Sequence, residues 1–415
     1  LFSDSADLER ELLLLRGLCV FVVKILVLFW PVDHPFQAES VKSQAVRNEH
    51  QAIGVGAKKN KAADAPCPTG GKPMPYRRTT LSKFIIDDQR RAANPQPELT
   101  SLLNDIQTAC KLIAVTVSRG SLTADKEPKP LRARANDIVL ATCEWGGQLS
   151  AMMSVGMVAP HHIPPIYPRG RYLLLFEALD GDANIDVNMP VGSIFSVLRC
   201  PSHVEQPQAT HFLQPGTQQV AACYAIYGPV AMMVMTLGAG VHGFTLDPEI
   251  GAFTLTHADI AIPPQTREFS VNMSHERLWD PPVRRYVEEC LEGLSGPRDA
   301  EFNTRWIAST VAEVHRILLR GGLFMHPNGS KNPKHLLFEA NPMAMIMEQA
   351  GGRASTGQRR LQEVAPKAHD HRVPIIMGSS DEVERLERYH AEHASGEDTV
   401  FRTPLFNARS LFRSA

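Results

Sequence analysis

The segment that most restricts the fold runs from Arg171 to Asn184. Arg171-Tyr-Leu-Leu-Leu-Phe176 is a short, continuous apolar run and reads as a buried strand. It passes directly into Glu177-Ala-Leu-Asp-Gly-Asp-Ala-Asn184. A strand that delivers acids and a glycine at its carboxyl end is a common way to build a site in an α/β protein, so an α/β class is expected. Acidic side chains two or three residues apart on a turn can converge on a divalent cation, with the Leu179 carbonyl beside them. Gly181 allows the backbone to approach an anion, and the amides after it can hold phosphate oxygens. The same letters also fit an acidic loop that only solvates a strand end.

The surrounding pattern alternates helices and strands. Thr80 reads as the N-cap of a helix reaching Arg91, and Leu102–Val117 shows helical spacing of apolar residues. Strands are predicted at Val191–Leu198, Val220–Tyr227, Met232–Leu237 and Gly243–Leu246. Glu249–Thr256 reads as a hairpin partner to the last of these. Helices are predicted at Pro281–Leu294, Arg305–Leu319, Pro342–Ala350 and Asp381–His393. Two further segments carry possible chemistry. In Leu336-Leu-Phe-Glu-Ala-Asn-Pro-Met343, Glu339 ends an apolar strand and is either a metal ligand or a helix-capping acid. Near Phe302–Ile307, the cations Arg305, Lys331 and Lys334 are phosphate grips or solvated surface. His369-Asp-His371 and His390-x-x-His393 have metal-compatible spacing and are read as exposed surface histidines.

The length of 415 residues predicts two or three domains. Lys and Arg number 43 against 44 acids, a balance that argues against nucleic-acid binding. Seven scattered cysteines form no CxxC pair, which argues against a disulfide scaffold or structural zinc and favours a reducing cytoplasm. Residues 1–75 read as an N-terminal extension and linker. Within them Leu12–Val32 is apolar but interrupted by Arg16 and Lys24. A membrane anchor and a non-native extension are both open readings, with central charges at about 2.5–3.5 kcal/mol each arguing against membrane contact. The remaining boundaries are an N-terminal α/β half at 76–265, a C-terminal α/β half at 266–395 and a tail at 396–415.

Many ordered segments resemble the class I fructose-1,6-bisphosphatase family, in its bacterial style. The carriers include Thr80-Leu-Ser, Glu144-Trp-Gly-Gly, Tyr167-Pro-Arg-Gly-Arg-Tyr, Asn184-Ile-Asp-Val-Asn, Phe212-Leu-Gln-Pro-Gly-Thr, Gly240-Val-His-Gly-Phe-Thr-Leu-Asp-Pro-Glu, Arg305-Trp-Ile-Ala-Ser and Glu339-Ala-Asn-Pro-Met-Ala. The resemblance spans nearly all of Tyr76–His393. It implies a layered α/β sugar-phosphatase fold with mixed sheets, a homotetramer, and hydrolysis of the 1-phosphate of fructose 1,6-bisphosphate in gluconeogenesis or sugar-phosphate cycling. The implied cofactor is Mg²⁺ or Mn²⁺. Glu177 matches the first Asp of the family's Asp-Pro-Leu-Asp-Gly-Ser-Ser motif. Leu179 and Asp180 match its carbonyl ligand and second Asp, and Glu339 matches the metal-binding Glu. Glu177, Asp180 and Glu339 are therefore the implied catalytic residues. Together with Leu179 they form the implied metal set. The implied substrate contacts are Asp180, Gly181, Asp182, Ala183, His275, Arg305, Trp306, His326 and Lys334, with Arg305 reaching a neighbouring subunit's substrate phosphate.

The departures concern charge. The family's Ser-Glu-Glu is Ser154-Val155-Gly156 here, so two carboxylates are absent. Its Lys-Lys-Leu-Asp segment is Lys129-Pro-Leu-Arg132, where a cation replaces an acid. Asp-Gly-Ser-Ser is Asp180-Gly-Asp182-Ala183, and His275 and His326 replace two substrate-contacting side chains. Three functions follow as expectations: a sugar-bisphosphate phosphatase with uncertain turnover, a non-catalytic sugar-phosphate- or subunit-binding member, and a related phosphomonoesterase with a shifted substrate. The wrapping around Phe302–Trp306 and His326 argues against the third.

Overall fold

The computed structural model describes residues 78–92, 95–119, 130–202, 204–330 and 333–397. The readings made for residues 1–75, for Lys129 and Lys331, and for the tail beyond 397 lie outside these residues. In chain order the elements are α1 (Leu81–Arg91), α2 (Pro97–Ser118), α3 (Leu131–Cys143), β1 (Leu149–Ser154), β2 (His161–His162), β3 (Tyr172–Asp180), β4 (Val191–Arg199), β5 (Ala221–Tyr227), β6 (Ala231–Thr236), β7 (His242–Asp247) and β8 (Ala252–His257). They continue with β9 (Glu268–Ser270), α4 (Pro281–Leu291), β10 (Asn303–Thr304), α5 (Thr310–Arg320), β11 (Leu323–His326) and β12 (Lys334–His335). A π-helical turn (Leu336–Ala340) leads into α6 (Asn341–Gln349), followed by β13 (Arg353–Ser355), β14 (Arg372–Val373), β15 (Ile375–Gly378) and α7 (Ser380–Ser395).

Among the described residues the strands form an eight-stranded sheet in the order β2-β1-β3-β4-β5-β6-β7-β8 and a five-stranded sheet in the order β10-β9-β11-β15-β13. The small β12–β14 pair stands apart from both. Both large sheets are mixed: β1 runs parallel to β3 and β9 parallel to β11, while most other pairs are antiparallel.

Side-chain alternation turns these sheets into layers. Tyr172, Leu174 and Phe176 of β3 face a core shared with Leu81 and Ile85 of α1, Leu102, Leu103 and Ile106 of α2, and Val139 of α3. The opposite face of the large sheet carries Tyr224, Ile226 and Val234, which pack against Val314 and Ile317 of α5 and Met343 and Ile346 of α6. The same cluster contains Phe324, Ile375 and Met377, so α5 and α6 fill the space between the sheets. On the far face of the smaller sheet, Phe269 and Met325 meet Tyr286 of α4 and Leu386 of α7. The order is therefore helix, sheet, helix, sheet, helix. The expected layered α/β fold with mixed sheets is what forms.

Local chemistry explains where elements begin and end. The Thr80 hydroxyl accepts from the Lys83 amide at 3.3 Å and caps α1 as predicted. The helix expected from Arg305 begins only at Thr310, because the Ser309 side chain accepts the Ala312 amide at 3.2 Å and caps it there. Strand β3 does not stop at Phe176 but continues through Asp180. Glu339 does not end a strand; it lies in the π-helical turn before α6. His390, expected on the surface, is buried, with its ring packed over Gly357. No helix of the described residues is long and apolar enough to cross a membrane.

One core feature has a pH signature. Asp105 of α2 and Gln148 each bury an acceptor oxygen that has no hydrogen-bond partner, and both oxygens point at the space over Gly146. Burial pushes the Asp105 carboxyl up to about 6. Its folded-state value lies above the unfolded one, so the folded chain loses stability as pH rises from about 4 to about 6, and the full penalty applies above that window. Asp105→Asn removes the penalty and supplies an amide donor for Gln148. Its melting temperature should exceed the parent's by roughly 2 °C at pH 8, with no difference near pH 4. A gain equal at both pH values would contradict this account.

Candidate active site

The site is built where β3 leaves the large sheet. Glu177 pairs with Ile194 of β4 while Asp180 pairs with Gly192, so one extra residue is inserted on β3. In an even strand, residues three apart would point to opposite faces. The bulge changes this: Ala178 and Leu179 both enter the helix-facing core, and Glu177 and Asp180 are freed to face the inter-sheet side. Gly181 follows at φ 74° and opens a single turn, Asp182–Asn184, closed by the Asn184 amide on the Gly181 carbonyl at 2.8 Å.

Each acid has its own partners. Glu177 is buried and accepts a hydrogen bond from Nη2 of Arg132, in the first turn of α3. Nη1 of Arg132 lies 3.7 Å from Asp182 Oδ2. Asp180 Oδ2 accepts from the Ser309 hydroxyl at 2.7 Å and from the Val311 amide at 3.0 Å, which fastens it to the N-terminus of α5. Its other oxygen is 3.7 Å from Nζ of Lys334. That ammonium donates to Glu339 Oε1 at 2.8 Å, while Glu339 Oε2 accepts from the His335 amide at 2.9 Å. Arg132 and Lys334 therefore bridge four carboxylates contributed by two segments of the chain, 177–182 and the turn at Glu339.

The titration directions follow from this packing. Burial, reinforced by the nearby Glu339 charge, pushes Glu177 up to about 8 despite Arg132. Burial also acts to raise Glu339, but the charge and hydrogen bond of Lys334, with the His335 amide, hold it below the usual carboxylate range. Burial works against the charge of Lys334, yet Glu339 and Asp180 outweigh it and hold the ammonium above its usual value. His326 is pushed down to about 4, chiefly by burial and then by the positive charge of Lys334. It is a neutral imidazole at pH 7. The Nδ1 atoms of His326 and His275 are both buried without a hydrogen-bond partner.

The structure thus gathers Glu177, Asp180, Asp182, Glu339 and Lys334, with His326 within electrostatic reach. Arg305 and Trp306 are turned elsewhere. Arg305 is half-exposed and contacts Glu268 at 3.3 Å, and the Trp306 ring lies 6.4 Å from Phe324. Ser309 closes the segment Arg305-Trp-Ile-Ala-Ser but has no site role in the sequence reading; its position just before an apolar-periodic helix is the signal for one. Arg132 was read as a lost acid, and its pairing with Glu177 was not foreseen.

A divalent ion does not fit these donors as they stand. Among the described residues no three His, Cys, Asp or Glu groups converge on one ion position. The oxygens of the cluster are instead engaged by an ammonium, a guanidinium, a hydroxyl and two backbone amides.

The sandwiched helices, the bulged acidic strand end and its two cations define a layered α/β protein with a buried acidic site at a strand end. Comparison with known proteins makes the assignment particular. The profile of the fructose-1-6-bisphosphatase N-terminal domain matches residues 135–258, and that of the C-terminal domain matches residues 262–391. The chain is 51% identical over 356 residues to a class 1 fructose-1,6-bisphosphatase of Methylacidiphilum infernorum, covering 82% of this chain and 100% of that one. It is 51% identical over 352 residues to the class 1 enzyme of Hydrogenophilus thermoluteolus, covering 80% and 97%. The crystal structure of Leishmania major fructose-1,6-bisphosphatase in holo form aligns with a TM-score of 0.70 at 32% identity, covering 76% of this chain and 100% of that one. The chain belongs to the fructose-1,6-bisphosphatase family.

The junction of β3 and α5 gives a direct test of the site's frame. A Cβ on Gly181 would meet the Ser309 Cβ at 2.8 Å, and the backbone there is left-handed. Gly181→Ala should cost about 1–3 kcal/mol in denaturant unfolding, through backbone strain and the displacement of Ser309 from Asp180. An unchanged unfolding midpoint would show that the turn is not held as described.

Proposed function

We propose that the chain hydrolyses the 1-phosphate of fructose 1,6-bisphosphate to fructose 6-phosphate and phosphate. The observation that carries this reading is that Glu177, Asp180 and Glu339 are gathered around Lys334 and Arg132 at the bulged end of β3. In the reaction a water oxygen bonds to phosphorus, the bond from phosphorus to the C1 oxygen breaks, and that oxygen leaves with a proton. Lys334 and the turn amides of Asp182 and Ala183 are the proposed phosphate grips. Asp180 orders this turn through Ser309 and the start of α5. His275 and His326 are the proposed sugar-side contacts. Fructose-1,6-bisphosphatases are generally metal-dependent. Mg²⁺ or Mn²⁺ is the cofactor proposed for this chain on the hardness of its carboxylates. A homotetramer and a cytoplasmic location are part of the same proposal. The exposed setting of Arg305, beside the two-residue edge strand β10, supports its contact with a second copy.

A second reading is favoured by the Arg132–Glu177 pair and by the apolar Val155 beside it: a family member that binds sugar phosphate without turning it over. Phosphate release from fructose 1,6-bisphosphate by the full chain, with Mg²⁺ or Mn²⁺, separates the two. The expected result is release above the buffer blank, reduced roughly 100-fold or more in Asp180→Asn. A rate equal to the blank, from folded protein that still binds fructose 6-phosphate, would leave the second reading in place.

A further inference from the structure

The carboxylate cluster carries its own cations. Arg132 reaches Glu177 and lies 3.7 Å from Asp182, while Lys334 is 2.8 Å from Glu339 and 3.7 Å from Asp180. We infer that Arg132 and Lys334 are tethered competitors of a divalent ion, an autoinhibitory contact that an incoming ion must displace. The inference rests on the reading of Glu177, Asp180 and Glu339 as the metal-binding acids.

Three observations support it. First, the cations touch the acids that would hold the ion. An ion on Glu339 Oε1 would lie close to an ammonium held 2.8 Å from the same atom, and the two repel. Second, among the described residues no three acids converge on one point while both cations are in place. Third, the cations differ in how easily they leave. The Arg132 side chain is 43% exposed and has solvent to swing into, whereas that of Lys334 is 21% exposed and rises from the short strand β12. Lys334 is therefore the stronger competitor, since it lies between two of the three acids.

This arrangement also changes what the chain needs in order to fold. Acids that share a site without cations repel one another, and an ion bound only by the folded state would stabilise it by mass action. Here the protein supplies part of that neutralisation. Removing divalent ions should leave the parent's melting temperature nearly unchanged.

The test is a calorimetric Mn²⁺ titration of chelator-treated full chain, as parent, Arg132→Gln and Lys334→Gln. Each variant should bind Mn²⁺ at least tenfold more tightly than the parent, with the larger gain in Lys334→Gln. Equal or weaker affinity in folded variants overturns the inference and leaves the metal-site reading intact. Absence of Mn²⁺ binding in all three overturns both. A second measurement uses the parent alone, in case a variant fails to fold. Labelling of Lys334 by an amine-specific reagent, read by peptide mass, should quicken when Mg²⁺ is added. Labelling that stays constant while the ion binds would show that Lys334 is not displaced, and the inference would fail.

Discussion

Burying negative charge is the constraint on which the rest of this structure turns. Glu177 and Glu339 are 3% and 6% exposed, and Asp180 is buried beside them. Taking a carboxylate out of water costs several kcal/mol unless a partner compensates. Here the partners come from elements far apart in sequence: α3 answers Glu177, the start of α5 answers Asp180, and β12 answers Glu339. The same contacts that neutralise the acids therefore join the large sheet to the inter-sheet helices and to the π-helical turn. A change at any one of these acids is felt in how the layers meet.

The bulge in β3 is what allows so many acids to share one end. Without the extra residue, Glu177 and Asp180 would lie on opposite faces, and one of them would point into the α1–α2–α3 core. With it, Ala178 and Leu179 together take that side and both acids face the inter-sheet layer. The Ser193 hydroxyl donates to the Ala178 carbonyl at 2.7 Å and shares a second contact with the Tyr227 hydroxyl, so the irregular backbone is satisfied from the neighbouring strands. The turn after it is held by an amide of Asn184, whose side chain donates to the Ile307 carbonyl at 3.0 Å. Local irregularity at the site is thus supported by regular structure on both sides.

The parts of the fold that were legible in sequence are those with an unbroken period or a plain boundary chemistry. The α1 start, the β4–β5–β6 meander and the β7–β8 hairpin all follow from alternation and caps. The helix α3 was missed because Leu131–Cys143 buries only Ala135, Val139 and Cys143, too sparse a face for periodicity to reveal. The end of β3 was placed too early because charged letters read as a turn, whereas cations from distant positions of the same chain allow them to stay within the strand. The acids of the site could be named from their motif. Their counter-ions could not, since Arg132 precedes Glu177 by 45 positions and nothing local marks the two as partners.

The positions where the chain departs from the family resemblance lie close together. Strand β1 runs beside β3, and the Val155 amide donates to the Phe176 carbonyl at 3.3 Å, so residues 155 and 156 end next to Glu177. The family resemblance puts a Glu pair there. In this chain Val155 instead packs against the cluster of Leu173, Leu175, Leu337 and Phe338, and Gly156 stands at φ 85° with open space around it. A carboxylate at 155 would leave an apolar cluster short of a side chain, and one at 156 would require a left-handed backbone that only glycine adopts at no cost. Val155 and Gly156 carry no charge, so Glu177 meets Arg132 with no acid beside it from the end of β1, and burial with the Glu339 charge still holds its carboxyl up at about 8. Restoring the glutamates alone would return the negative charge while Arg132 still occupied Glu177. Against the pattern that the family resemblance suggests, Val155 and Gly156 in place of acids and Arg132 in place of another all shift the charge around Glu177 in the same, positive direction, and Arg132 is the counter-ion that Glu177 meets.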